Sequence, residues 1–315
     1  MSLGDLNAKA QYFSLFRVSN LLQISFYFRT YLCFMADNYL ERRMEDLRTG
    51  RINNTSSSPA KPRKGCLQIP FPSRRVLVTG GCHGIGLATV RAFLKSGCKV
   101  AVFDCDEEAG RSLYTNEGVR FYHLDLSDVD ATERAMDDLF KAWRDIDIIV
   151  SNAGVSEFKS ITESTPDDFQ KILDINLRPA YVIARKLAIH RKNLPYPNSF
   201  GGRMILISST RHIQSEAGTE AYSASKGALA SLTHALMMSL SEFGITVNSI
   251  SPGWINTKNE TLSDTDKLQH PSRRVGEPED IARVCIFLSA PDNDFINGAD
   301  IPVDGGMTRK MIYTE

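Results

Sequence analysis

The chain has 315 residues, 42% hydrophobic and 23% charged, enough to bury the core of one large domain and carry an appendage. Lysine plus arginine and aspartate plus glutamate each number 37, so the formal net charge is +0; this excludes a global basic field for nucleic acid and an acidic solvating tail. The 6 cysteines are scattered with no C-x-x-C and the 6 histidines with no H-E-x-x-H, which argues against a disulfide framework or a metal site and for a reducing, cytoplasmic setting.

Residues 1–34 are rich in aromatic side chains, among them Tyr12, Phe13, Phe16, Phe26, Tyr27, Phe28, Tyr31 and Phe34. Arg17 and Arg29 leave only residues 18–28 uncharged, well short of the ~20 residues of a membrane-spanning helix, so no membrane partner is expected. Met35 opens a different kind of sequence, a short charged helix with Leu40, Met44 and Leu47 on one stripe. Residues 53–64 follow as a polar, proline-containing linker. The expectation is an extension over 1–34 that the native product lacks, Met35 being the true start. A short helix and flexible linker then cover 35–73, and a catalytic domain covers 74–315.

From Arg74 onward strands and helices alternate. Apolar runs predict strands over 74–79, 99–104, 119–125, 146–151, 204–209, 246–250 and 299–303. Helical patterns fill 84–96, 106–116, 127–143, 221–243 and 278–289, and one long helix opens with Thr165 as N-cap and Pro166 at its first position. The alternation implies right-handed βαβ units. The expected fold is α/β, a single Rossmann-type doubly wound parallel sheet of about seven strands with helices on both faces.

Thr79 to Gly86 reads T-G-x-x-x-G-x-G between the first strand and its helix. A glycine-rich turn there lets backbone N–H groups approach a pyrophosphate at the helix amino end, although alone it is a weak signal. Asp104 ends the second strand 18 positions after Gly86, where a carboxylate can accept hydrogen bonds from an adenosine ribose diol. The same charge repels a 2′-phosphate, and no arginine or lysine lies inside the glycine turn, so NAD is favoured over NADP. The alternative for Asp104 is a solvated strand-end acid, for which Asp106 would do as well.

Tyr222 and Lys226 are four residues apart at the start of a helix, which places them on one face. Ser209 sits at the end of the preceding predicted strand. A tyrosine loses its proton near pH ~10, so acid/base work at neutral pH requires its phenolate to be stabilised by about three units, or ~4 kcal/mol. A neighbouring ammonium can do this. Taken alone, the pattern fits an ordinary surface Tyr/Lys pair as well.

Together, Thr79–Gly86, Asn152-Ala153-Gly154, Asn176, Ser209, Tyr222, Lys226 and Pro252-Gly253 resemble the short-chain dehydrogenase/reductase family over residues 74–306, a span that also holds Gly276-x-Pro278-x-Asp280 and closes on Asp304-Gly305-Gly306. The resemblance implies an NAD-dependent oxidoreductase with a catalytic set of Asn176, Ser209, Tyr222 and Lys226. Tyr222 is then the acid/base, Lys226 lowers its pKa and binds the nicotinamide ribose, Ser209 holds the substrate oxygen, and Asn176 supports a water relay in a helix disturbed near Pro179. The implied cofactor set is Gly80, Cys82, His83, Gly84, Ile85 and Gly86 at the glycine turn, Asp104 on the ribose, and Asp125 and Leu126 around adenine. Asn152, Ala153 and Gly154 form the floor, while Pro252, Gly253, Ile255 and Thr257 join Tyr222 and Lys226 around the nicotinamide. Ser151 replaces a more usual asparagine, and Ile296-Asn297-Gly298 stands where threonine-glycine is common.

The helix after Tyr222 carries Leu229, Leu232, Leu236, Met237 and Leu240, apolar around more than half its circumference. One face against a sheet needs a single stripe, so the surplus points to a partner helix in a homodimer or homotetramer, or to a wide internal face. The lid, residues 254–275, is short and polar, with Asn256, Lys258, Asn259, Glu260, Lys267 and His270. With Arg211, His212, Gln214 and Glu216 it leans towards a sugar, polyol or similar small hydroxy compound. The competing readings are a 3-oxoacyl-thioester (acyl-carrier-protein) reductase, a hydroxysteroid dehydrogenase and, without catalysis, an NAD-binding scaffold or sensor.

Overall fold

Seven strands, β1 (Arg75–Thr79), β2 (Lys99–Asp104), β3 (Arg120–His123), β4 (Ile148–Ser151), β5 (Gly202–Ile207), β6 (Ile245–Pro252) and β7 (Asp300–Val303), pair in parallel in the order β3-β2-β1-β4-β5-β6-β7. The computed structural model describes residues 71–311 apart from 115–117 and 196–197. The expectations for the 1–34 extension and for the helix and linker up to residue 70 lie outside the described residues. Val76 of β1 is in register with Val100 on one side and Ile148 on the other, so the sheet grows outward in both directions from the first strand. A crevice at the carboxyl ends of β1 and β4 follows from that reversal of order.

Helices α1 (Gly84–Lys95) and α8 (Pro278–Ser289) cover one face, and α3 (Val129–Trp143), α5 (Arg178–Lys192) and α6 (Glu220–Leu240) cover the other. Side chains alternate across the strands, so Val76, Val78, Val100, Val102, Ile148 and Val150 pack with Phe93, Ile281 and Leu288. Leu77, Ala101, Phe103, Ile149, Met204 and Leu206 pack with Leu139, Ile183 and Leu229 on the opposite face. Burial on both faces is why these strands read as unbroken apolar runs; each such side chain contributes about 1.5–3 kcal/mol. The shorter helices are α2 (Glu107–Tyr114), α4 (Pro166–Asn176) and, in the lid, α7 (Asp264–Leu268).

Two boundaries differ from the sequence expectation. The single helix from Pro166 is two helices, parted at Leu177. Pro179 has no N–H to offer one turn back, and the N–H of Ala180 turns to the Leu177 carbonyl at 3.2 Å. The Thr165 cap is as expected, a capping box with Asp168. Ser209 is not in a strand. β5 ends at Ile207, and Ser209 caps the 3₁₀ turn Thr210–His212, its hydroxyl oxygen accepting the Arg211 N–H at 3.2 Å.

Candidate active site

The glycine turn is held from below. Thr79 Oγ1 accepts the N–H groups of Asn152 and Ala153 at 2.9 and 3.0 Å, and Asn152 Nδ2 donates to the carbonyls of Thr79 and Gly80 at 3.0 and 2.9 Å. Tyr114 donates its hydroxyl to the Gly81 carbonyl at 2.6 Å. Gly84 takes a φ of 48°, a left-handed conformation that side chains disfavour. A Cβ on Gly86 would stand 1.9 Å from the Gly80 carbonyl oxygen, so the turn folds onto its helix only with glycine there.

Above this turn, a cleft of about 980 Å³ opens at the carboxyl ends of the strands. It gathers most of the expected residues: Gly80, His83, Gly84 and Ile85, then Asp104, Asp125 and Leu126, then Asn152, Ala153 and Gly154. Ser209, Tyr222, Lys226, Pro252, Gly253, Ile255 and Thr257 complete the wall. The donor set fits a dinucleotide, with backbone N–H groups at the start of α1, a carboxylate at the end of β2, and a continuous floor between them.

Two members of the expected cofactor set lie beneath the cleft rather than in it. Gly86 packs on Gly80, and Cys82 is buried, its thiol pushed up to about 12 by that burial and by Asp104. Asp104 also has a second task that its sequence position hid. Its carboxylate accepts the Cys82 N–H at 2.9 Å and the Asp106 N–H at 3.0 Å, tying the turn to β2. His83 Nε2 lies 2.8 Å from Asp106 Oδ2.

Asn176, 3% exposed, stands behind the cleft wall. Its Oδ1 accepts the Val155 N–H at 2.8 Å, and its Nδ2 donates to the Val155 carbonyl and to Ser225 Oγ, both at 3.0 Å. It thereby clamps the strand-to-helix loop to α6 one residue before Lys226. Lys226 is buried and donates to the Ile207 carbonyl at 2.8 Å, while Ser208 Oγ donates to the Lys226 carbonyl at the same distance.

Burial raises the Tyr222 phenol above its usual range, against the lowering pull of the Ser209 hydroxyl and the Arg211 charge. Burial alone takes the Lys226 ammonium down to about 8. Lys226 and Arg211 are thus both cations near the phenol. The Lys226 Nζ is 5.6 Å from the Tyr222 ring centre and donates to the Ile207 carbonyl.

Further residues also shape the site. Phe158 meets Tyr222 edge-on, ring centres 6.0 Å apart, and Trp254 and Lys258 line the lid side of the cleft. Asp300 lies 3.5 Å from His212 Nε2. Trp254 and Lys258 belong to the lid expected over 254–275, whereas Phe158 and Asp300 carried no signal of a place in the site in the sequence. On α6, Leu229, Leu236 and Leu240 point into the core, and Ala228, Leu232 and Ala235 face an apolar groove against Leu173, Leu177 and Tyr181. Among the described residues, no helix is long and apolar enough to cross a membrane, and no group of three or more His, Cys, Asp or Glu is placed to hold a metal ion.

Residues 80–308 match the family model described as enoyl-(acyl carrier protein) reductase. An uncharacterized oxidoreductase of Thermotoga maritima is 40% identical over 254 residues, 76% of this chain and 97% of that one. The NADP-dependent (R)-specific alcohol dehydrogenase of Lentilactobacillus kefiri is 33% identical, over 74% of this chain and 95% of its own. Among solved structures, an apo SCOR enzyme from Clostridium thermocellum superposes with a TM-score of 0.69 at 35% identity, covering 77% of this chain and 96% of that one.

Proposed function

The chain belongs to the short-chain dehydrogenase/reductase family of oxidoreductases, and from that premise we propose that it interconverts a secondary alcohol and a ketone, using NAD, on a sugar, polyol or similar small hydroxy compound. The observation that carries this reading is the gathering of Ser209, Tyr222 and Lys226 on one wall of a cleft whose other end holds the glycine turn and Asp104.

A bound nicotinamide dinucleotide supplies the hydride acceptor or donor. The chain's own part is positional and protonic. Tyr222 Oη takes the hydroxyl proton as the alcohol is oxidised and returns it to the carbonyl oxygen on reduction. Ser209 Oγ holds that same oxygen, its backbone fixed by the 3₁₀ turn. Asn176 keeps α6 in place through Ser225, so that Lys226 stays beside Tyr222. Lys226 would hold the nicotinamide ribose with its ammonium, and its charge would there add to that of Arg211 near the phenol. Gly80, His83, Gly84 and Ile85 cradle the pyrophosphate, Asp125 and Leu126 the adenine, and Pro252, Gly253, Ile255 and Thr257 the nicotinamide.

Asp104 supports NAD, because a carboxylate facing the adenosine ribose opposes a 2′-phosphate and no arginine or lysine occupies the glycine turn to offset it. A 3-oxoacyl-thioester reductase is the second reading, favoured by the acyl-carrier-protein description of the matching family. The Asp104 carboxylate and the mixed charges of the lid weigh against it. The apolar groove between α4 and α6 supports a homodimer or homotetramer, and the scattered cysteines support a cytoplasmic setting. The test is a screen of NAD⁺ and NADP⁺ reduction across sugars, polyols, hydroxy acids and steroids, with acetoacetyl thioester run in reverse. NAD⁺-linked oxidation of a hydroxy compound is the expected result, and turnover of the thioester with NADPH alone overturns it.

A further inference from the structure

Beside the phenol stands a cation that alcohol–ketone chemistry does not require. Arg211 follows Ser209 by two residues, and its N–H is bonded to the Ser209 hydroxyl, so its backbone is fixed to the group assigned to the substrate oxygen. Its guanidinium carbon lies 5.2 Å from the centre of the Phe158 ring, and that ring in turn packs edge-on against Tyr222 at 6.0 Å. Arg211, Phe158 and Tyr222 are therefore linked by successive contacts, of which Tyr222 lines the cleft. Burial raises the Tyr222 phenol, and the Ser209 hydroxyl and the Arg211 charge act in the lowering direction.

The carboxylate that Arg211 already meets is a poor permanent partner. Glu216 Oε2 is 2.9 Å from Nη2, but the Glu216 side chain is 73% exposed and the Arg211 side chain 25%. Such a rim pair is weak, and it engages one of the five N–H donors of a guanidinium. Arg211 and Phe158 stand beside the cleft wall through Ser209 and Tyr222, and an anionic group on the substrate would find the remaining guanidinium donors in a planar fork held against the Phe158 ring.

We propose that Arg211 and Phe158 form a carboxylate subsite of the active site, and that the preferred substrates are hydroxy acids and their oxo acids, sugar acids among them, rather than neutral polyols. This rests on the alcohol–ketone reading given above and narrows it.

The experiment compares kcat/KM for NAD⁺ reduction within matched pairs, D-gluconate against sorbitol and 3-hydroxybutyrate against its amide, for the wild type, Arg211→Gln and Arg211→Lys. The wild type should favour the acid of a pair. The acid-to-neutral ratio should fall at least about tenfold in Arg211→Gln, the loss expected for one charge-assisted bond. Arg211→Lys should lie between, because a point charge lacks the bidentate fork. Thermal shift of the wild type with NADH, D-gluconate against sorbitol, gives the same comparison without a variant, and the acid should raise the melting temperature more. Turnover of the neutral members alone, or an unchanged ratio in Arg211→Gln, overturns the subsite and leaves the alcohol–ketone reading standing. No turnover of any member counts against both.

Discussion

Lys226 gives its ammonium to the carbonyl oxygen of Ile207 at 2.8 Å while standing 5.6 Å from the centre of the Tyr222 ring. The pair predicted to work together is thus assembled on one helix face, with the cation held by the end of β5. Burial takes its pKa from 10.5 to about 8, so the protein carries this charge at a cost to its own stability.

That cost is measurable through Lys226→Met. The folded value lies below the unfolded one, so between pH about 8 and 10.5 the unfolded chain binds more protons and the wild type gains stability as pH rises. The variant should melt higher than the wild type at neutral pH, by at most about 3 kcal/mol less the lost hydrogen bond to Ile207. The gap should close as pH climbs through that window, and activity should be lost throughout. Melting curves of the protein without dinucleotide decide it; a gap that is flat with pH contradicts the burial argument.

Asp104 separates charge from architecture. Asp104→Ala should weaken NAD and relax discrimination against NADP, and should also loosen the turn by about 1–3 kcal/mol because the Cys82 and Asp106 N–H groups lose their acceptor. Asp104→Asn keeps one carbonyl acceptor and removes the charge, so it should shift the NADP-to-NAD ratio with a smaller loss of stability. The ratio of dinucleotide affinities for the three proteins is the readout, and an unchanged ratio means that another group reads the ribose.

His212 should act as a positioning residue for Ser209. Its Nδ1–H donates to the Ser209 carbonyl at 2.6 Å, and its Nε2 lies 3.5 Å from Asp300 Oδ2. Asp300 is itself fixed by the hydroxyls of Ser249 and Ser251 at 2.6 and 2.7 Å. His212→Ala should lower kcat about tenfold with little change in KM for the dinucleotide. His212→Asn, which keeps an N–H near the Nδ1 position, should recover most of it. Equal losses in both, tracking the melting temperature, would reduce His212 to packing.

The groove between α4 and α6 makes a prediction about assembly. Leu232→Glu places an unpaired charge in an apolar contact and should weaken self-association by about 3 kcal/mol or more. Light scattering across a concentration series reads this. A wild type that is monomeric at high concentration removes the proposed interface.

Much of this was legible in the sequence, for definite reasons. Strands buried on both faces announce themselves as apolar runs, and glycine, proline and capping residues punctuate them, as at Gly84 and Thr165-Pro166. Short-range spacing placed Tyr222 and Lys226 on one helix face. Spacing does not show which way a side chain turns once a neighbouring element arrives. So Lys226 faces Ile207, Cys82 points under the glycine turn, and Leu229, Leu236 and Leu240 fill the core instead of a partner surface. Phe158 and Asp300 reach the site from loop and edge-strand positions distant in sequence, and only tertiary packing brings them there.

Tyr222→Phe should bind NAD as the wild type does, followed by NADH fluorescence or equilibrium dialysis, while turnover of any accepted alcohol falls by ~10²–10⁴. Full turnover in the presence of that substitution would contradict the assignment of Tyr222 as the proton-transferring group.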